Sequence, residues 1–180
     1  MLLRFFKPRR SFFSLKLPTN LKEYQEKRVV GFTACEMFSI AANVWEYPEF
    51  VPWCQHGRSS NSFIAQLRIG FPPVCETYTS RISVMKPTIV RSVCTDNRLF
   101  KTLESTWQFN KGHPDNVRSC TLMFTLAFQF NSVFHSSLAH HFFDHVVETI
   151  VIAFLKRAEA KYGSPSFDHY KDYTVLKKVR

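Results

Sequence analysis

A chain of 180 residues with 24 Lys and Arg against 14 Asp and Glu carries a formal net charge of +10, and its length suits one folded domain that buries about two-thirds of the surface its unfolded chain exposes. The 19 Phe make the core aromatic, yet no apolar run approaches the ~20 residues of a membrane-spanning helix. Cys35, Cys54, Cys75, Cys94 and Cys120 are scattered without a CxxC pair, which speaks against a disulfide framework and against a structural zinc site.

The charge is concentrated at the ends. Residues 1–22 hold Arg4, Lys7, Arg9, Arg10, Lys16 and Lys22 with no acid, whereas residues 23–162 hold 14 basic and 12 acidic residues. The body is therefore nearly neutral, unlike a polyanion-binding face. The first segment interleaves its cations with Leu2, Leu3, Phe5, Phe6, Phe12 and Phe13. That is the profile of a mitochondrial transit peptide; the charges interrupt any secretory apolar region. A nucleic-acid-binding arm is the rival reading. The expected organisation is a transit peptide over 1–22, a folded domain over 23–163, and a basic, flexible tail over 164–180.

In chain order, Tyr24 to Val30 predicts a strand that stops at Gly31. Thr33 followed by Glu36 is a capping-box pattern opening a helix with Met37, Phe38, Ile40, Ala41 and Val44 as its apolar positions. The stretch Tyr47-Pro48-Glu49-Phe50-Val51-Pro52-Trp53-Cys54 follows. Each proline lacks an N–H and biases its predecessor away from the helical region, so at most one short turn fits between them. The result is a stiff aromatic connection, suited to walling a cavity or simply to covering the core.

From His56 the apolar period changes to two, as in an antiparallel meander. Phe63, Ala65, Leu67 and Ile69 share one face of a strand ending at Gly70. Val74, Glu76, Tyr78, Ser80, Ile82 and Val84 share a face of the next. Thr88 to Thr95 is a further strand, and Leu99, Leu103, Trp107 and Phe109 mark another. Leu122, Phe124, Leu126, Phe128 and Phe130 give the last strand an unusually bulky face. A final helix runs from about Ser132 to Tyr162 and stops at Gly163, with Leu138, Phe142, Val146, Ile150 and Phe154 recurring every four residues, flanked by Phe143, Val147, Val151 and Ala158 in a wide apolar stripe. A helix this apolar must lie on something concave, and the Phe-rich sheet face is the obvious partner. The expected fold is α+β, a curved antiparallel sheet gripping a long C-terminal helix.

Several motifs, in this order and spacing, resemble those of a known family. They are Tyr47 to Cys54, Gly70 to Val74, Glu76 with Tyr78-Thr79-Ser80, Val93 to Asp96, Arg98 to Phe100, Leu103-Glu104, Trp107 with Phe109, and Phe142-Phe143-Asp144. The chain from about residue 24 to 163 is similar to the mitochondrial coenzyme Q-binding proteins, a branch of the START-like, polyketide-cyclase-like helix-grip superfamily. Ala34-Cys35 departs from the family's usual polar helix start, which touches capping and not the cavity. The resemblance implies a non-enzymatic protein without a catalytic cofactor, peripheral at the matrix side of the mitochondrial inner membrane. It would hold ubiquinone or its polyprenylated intermediates between sheet and helix, supporting respiration and coenzyme Q biosynthesis. The implied partners are the inner-membrane lipid surface and respiratory or biosynthetic complexes, with a homo-oligomer left open.

The residues expected to wall the enclosure are Pro52, Trp53, Phe71, Pro73, Val74, Tyr78, Leu103, Trp107, Phe124, Phe128, Phe143, Val147 and Phe154; for each, ordinary core packing is the alternative. Phe50, Val51 and Trp53 are expected to act as a lid and a bilayer contact. Glu76 shares a face with Val74 and Tyr78, so its carboxylate must be paired or protonated. It would hydrogen-bond a quinone oxygen when neutral, or else pair with Arg68, Arg81 or Arg98. His141, His145 and Glu148 sit off the apolar stripe of one helix, where three ligands rarely converge on a metal, and no metal is expected. Two other functions compete. One is a cyclase or hydrolase of the same fold with Glu76 as general acid or base; the other is a ribosome-associated interaction protein, against which the nearly neutral body weighs.

Overall fold

The computed structural model describes residues 21–61, 64–71, 74–96, 98–131 and 133–179, without the side chains of residues 56–61, 69–71, 74–76, 133–142 and 144. Eight strands form one antiparallel sheet: β1 Lys22–Val30, β2 Cys54–Asn61, β3 Ile64–Phe71, β4 Val74–Met85, β5 Ile89–Cys94, β6 Phe100–Lys111, β7 Cys120–Phe130 and β8 Tyr173–Val179. Their order is β2-β3-β4-β5-β6-β7-β1-β8. Helix α1 spans Ala34–Ala42, α2 is the single turn Tyr47–Phe50, and α3 is the 30-residue helix Val133–Tyr162. The fold is the α+β arrangement expected from the pattern of elements, an antiparallel sheet against a long C-terminal helix.

Local chemistry explains most boundaries. Thr33 Oγ1 accepts from the Glu36 N–H at 3.2 Å and Glu36 Oε2 accepts from the Thr33 N–H at 2.7 Å, a reciprocal cap at the start of α1. Gly163 ends α3 at φ +81°, and its N–H donates to Glu159 O at 2.9 Å. Along β7 burial alternates without a break, turning Cys120, Leu122, Phe124, Leu126, Phe128 and Phe130 inward.

Against that face α3 buries Phe143, Val147, Val151, Phe154, Leu155 and Ala158. Phe143, Val147, Val151 and Ala158 are the flanking positions of the stripe read in the sequence, and Val146 and Phe154 of its four-residue series are buried too, whereas Ile150 is only half-buried. A strict four-residue step advances about 40° beyond a full helical turn, so no such series can stay on one face along a long helix.

Four features differ from the sequence reading. First, β1 begins at Lys22, inside the segment assigned to the transit peptide, and Lys22 is buried; residues 1–20 lie outside the described residues. Second, β2 is an additional strand whose sequence, CQHGRSSN, lacks apolar alternation. As an edge strand it is defined by pairing with β3 and not by its own hydrophobicity. Third, the register shifts between Phe100 and Thr102, so Phe100 joins Leu103 and Trp107 on the inner wall although simple alternation separates them.

The fourth difference is a correction: residues 164–179 are not a flexible tail. The segment folds back, and β8 pairs with β1. Arg118 donates to the carbonyls of Tyr162 at 2.9 Å and Ser164 at 2.8 Å. The Ser166 N–H donates to Gly31 O at 3.0 Å. A Cβ at Gly31 would stand 2.7 Å from Ser166 N, so glycine is what allows this approach. Composition hid the segment because its docking relies on the side chains of Arg28 and Arg118, the backbone of Gly31 and pairing with β1, all far from it in sequence.

His169 anchors this return. It is fully buried, and its Nδ1 accepts from the Gly31 N–H at 3.1 Å, which fixes the neutral tautomer with the proton on Nε2. Nε2 has no hydrogen-bond partner among the described residues, Glu159 Oε1 lying 4.0 Å away. Burial holds the His169 pKa below the ordinary imidazole value, and Arg28 adds to this, while Glu159 and Asp168 oppose it. Protonation would also place a proton on the nitrogen that accepts from Gly31. The unfolded chain therefore binds this proton more readily, and stability is lost as pH falls through about 6.5 toward the lower folded value. Denaturant midpoints between pH 7.5 and 5 should decline for the native chain and decline less for His169→Gln, whose side-chain carbonyl can still accept from Gly31.

Candidate functional site

Between the inner sheet face and α3 lies a cavity of about 140 Å³. Its walls come from three parts of the fold. Val44, Tyr47, Val51, Pro52, Trp53 and Cys54 close one side, strands β3 to β7 supply the floor, and Val146, Ile150 and Phe154 of α3 form the roof. Trp107 stands at the centre of the packing, its ring 4.3 Å from Phe124 and 4.2 Å from Phe154 between centroids.

The expected wall residues fall into three groups. Pro52, Trp53, Tyr78, Leu103, Trp107, Phe128 and Phe154 line the cavity, as does Val51. Phe124, Phe143 and Val147 are buried behind the lining; Phe124 supports Trp107 and Phe143 packs on Phe128 with ring centroids 5.4 Å apart. Pro73 and the side chains of Phe71, Val74 and Glu76 lie outside the described residues.

The sequence reading omitted Val44, Tyr47, Cys54, Leu67, Ile82, Val90, Ser92, Phe100, Ser105, Leu126, Val146 and Ile150 from the lining. Alternation from Tyr78 leads to Ile82, and alternation from Phe124 leads to Leu126, so those two were within reach. Ser92 and Ser105 are polar, and a search for apolar walls passes over them.

The aromatic stretch is folded more tightly than its prolines alone require. Pro48 occupies the first turn of α2, where no N–H is needed. Val51 N–H donates to Tyr47 O at 2.7 Å, and Cys54 N–H donates to Val51 O at 3.1 Å. This second turn forces Trp53 to φ +62°, a left-handed conformation that costs a non-glycine residue roughly 1–2 kcal/mol. The Trp53 ring packs on His145 of α3, with centroids 5.0 Å apart. Phe50 faces inward: its ring is 5.0 Å from that of Phe154 and 5.7 Å from that of Tyr47.

An ion cluster fastens the same stretch to α3. Arg157 donates to Glu46 Oε2 at 2.8 Å and to Glu49 Oε2 at 2.6 Å, and Lys161 Nζ lies 3.0 Å from Glu46 Oε1. Hydrogen bonds from Arg157, then from Lys161, hold the Glu46 carboxyl below its usual range. On the solvent side of Phe50 and Pro52 a groove of about 490 Å³ runs along α3 past Ile152 and Ala153, and Pro52 belongs to both spaces.

Chemically the cavity is apolar and uncharged. No Asp, Glu, His, Lys or Arg is among the described lining residues. Burial pushes the phenol pKa values of Tyr47 and Tyr78 up, so both are neutral at physiological pH. Tyr47 spends its proton on Ala41 O at 2.6 Å. Glu104, on the opposite face, accepts from Arg91 at 2.7 Å. Among the described residues no three His, Cys, Asp or Glu are grouped as metal ligands, and no helix is long and apolar enough to cross a membrane.

Over residues 30–155 the chain matches the family described as polyketide cyclase / dehydrase and lipid transport. It is 42% identical over 161 residues to a Xenopus laevis protein named coenzyme Q-binding protein COQ10 homolog B, mitochondrial, a match covering 86% of this chain and 66% of that one. A Drosophila melanogaster protein named coenzyme Q-binding protein COQ10, mitochondrial, is 38% identical over 147 residues, covering 79% and 61%. The chain thus spans slightly under two-thirds of the length of these curated relatives. A solved START superfamily protein from Mycobacterium smegmatis superposes with a TM-score of 0.61 at 14% identity, covering 78% of this chain and 99% of that one, a likeness of fold.

Proposed function

Because the chain belongs to the polyketide cyclase / dehydrase and lipid transport family, we propose that it is a non-enzymatic carrier of ubiquinone or a polyprenylated quinone precursor. The observation that carries this reading is an enclosed, uncharged cavity floored by Trp107 and Phe128, in a chain whose curated relatives are named for coenzyme Q binding. Burying hydrocarbon contributes ~0.8 kcal/mol per CH₂, so each isoprene unit withdrawn from water contributes about 3–4 kcal/mol. A polyprenyl quinone has essentially no aqueous concentration without such an enclosure. The described lining offers no carboxylate, imidazole or amine for acid–base turnover, which favours carriage over the cyclase chemistry also found in the family's description.

At about 140 Å³ the cavity is of the size that accepts one aromatic ring, and it is smaller than the ~300–1,000 Å³ usual for a drug-sized ligand. The ring head occupies it in this reading, and the isoprenoid tail leaves past Pro52 toward the groove beside α3. The wall from Val44 to Trp53 is then the part that moves. The segment before β1 acts as a mitochondrial targeting segment, and loading takes place at the matrix face of the inner membrane, with Val51 and Trp53 meeting the bilayer. Delivery of the quinone there would serve respiratory electron transport and coenzyme Q biosynthesis.

The deciding experiment is mass spectrometry of lipid co-purifying with the full chain. A polyprenyl quinone at near-stoichiometric amount is expected. Absence of any quinone, together with no retention of added quinone, overturns the carrier reading. For the rim, Trp53→Ala should slow quinone transfer between liposomes at least severalfold while the circular dichroism spectrum stays native. Unchanged transfer returns Trp53 to a packing role.

A further inference from the structure

Apart from the Tyr78 phenol, the described floor of the cavity is bulky and apolar except at one pair of small residues. Ser92 of β5 and Ser105 of β6 are register partners, and both line the cavity. Their neighbours on this face are large: Val90 and Trp107 form the next inward pair along the two strands, and Ile82 and Leu126 flank the serines across the sheet. Two small side chains between four large ones leave room at the centre of the floor. They also set two hydroxyls there, and neither has a hydrogen-bond partner among the described residues. Hydroxyls facing an apolar space without partners are unfavourable, and a packed core would carry Val or Ala at these positions.

Directly opposed residues of an antiparallel pair hold their Cβ atoms about 4.5–5.5 Å apart. Two O–H···O bonds of about 2.7–2.8 Å on either side of a shared acceptor span nearly the same distance. One oxygen seated between the two serines is therefore within reach of both hydroxyls. We propose that the Ser92–Ser105 pair is the head-group seat of the cavity, holding a carbonyl or phenolic oxygen of a prenylated ring between the two hydroxyls. This rests on the carrier reading and adds ligand orientation to it: ring oxygen down on the sheet, hydrocarbon up toward the Pro52–Trp53 rim. The pair selects for an oxygenated ring over a plain isoprenoid hydrocarbon, because only the former satisfies both donors.

The test compares two probes on the full chain by calorimetric titration: ubiquinone with two isoprene units, and the hydrocarbon farnesene. Ser92→Ala with Ser105→Ala should weaken quinone binding about 10- to 25-fold, some three- to fivefold per lost hydroxyl, and leave farnesene within about twofold. Ser105→Thr alone, which keeps the hydroxyl, should stay within about threefold of the native chain for quinone. Equal losses for both probes, or unchanged quinone affinity in the double variant, overturn the seat while leaving the carrier reading intact. A native chain that binds no quinone overturns the carrier reading and the seat with it.

Discussion

Replacing Arg28 with methionine is expected to lower stability by about 3–5 kcal/mol. Arg28 and Glu26 are two apart on β1, so both turn to the buried face, where they are 3% and 2% exposed. Arg28 Nε donates to Glu26 Oε1 at 3.2 Å, and Tyr24 OH donates to Glu26 Oε2 at 2.6 Å. Nη2 also lies 3.2 Å from Glu26 Oε1, and Nη1 reaches into the C-terminal return, donating to His169 O at 3.2 Å and Tyr170 O at 2.9 Å. The guanidinium carbon also sits 4.4 Å from the centroid of the Tyr173 ring. Methionine keeps most of the stem volume but leaves a buried carboxylate without its cation and two tail carbonyls without their donor. Urea denaturation measures the loss, and hydrogen exchange should show β8 opening first. Adding Glu26→Gln to Arg28→Met should recover part of the loss, because the uncompensated charge is then gone. A single variant that melts with the native chain would mean the cluster does not hold the return in place.

Leu103→Trp is expected to abolish measurable quinone retention, at least tenfold in affinity, at little cost in stability. Leu103 lines the cavity and is only half-buried, so the extra ring volume has about 140 Å³ of open space to enter. Filling space that is already present avoids most of the penalty of overpacking a close-packed core, which is about 1–3 kcal/mol. The informative result is the combination: a thermal midpoint within a few degrees of the native chain, with quinone no longer co-purifying. Retained quinone in a folded variant would place the ligand somewhere other than this cavity. By contrast, Trp107→Ala removes a ring packed between Phe124 and Phe154. It should cost about 3–5 kcal/mol and so cannot separate binding from folding.

Much of the architecture was legible because its signals are local. The cap at Thr33 and Glu36, the stop at Gly163, and the unbroken alternation of β7 each depend on a few neighbouring residues, and each appears in the structure where the pattern put it. The general position of the enclosure followed, since a Phe-rich sheet face and an apolar helix must meet. The failures share a cause. Strand β2 is polar and exists through its partner; the bulge beside Lys101 reverses the parity on which alternation depends; the return from Gly163 to β8 is held by Arg28, Gly31 and Arg118, which lie far from it in sequence.

By itself, then, the sequence determined which segments are strand or helix and which faces turn inward, because propensity, capping and period act over a few residues. Only the tertiary structure decided where that interior is filled and where it is open. A void is the difference between the space enclosed and the volumes of side chains contributed by five strands, one turn and a helix, and no single stretch of chain encodes it. Ser92 and Ser105 are unremarkable in their own strands; opposite one another beneath α3 they set a pair of hydroxyls into the floor.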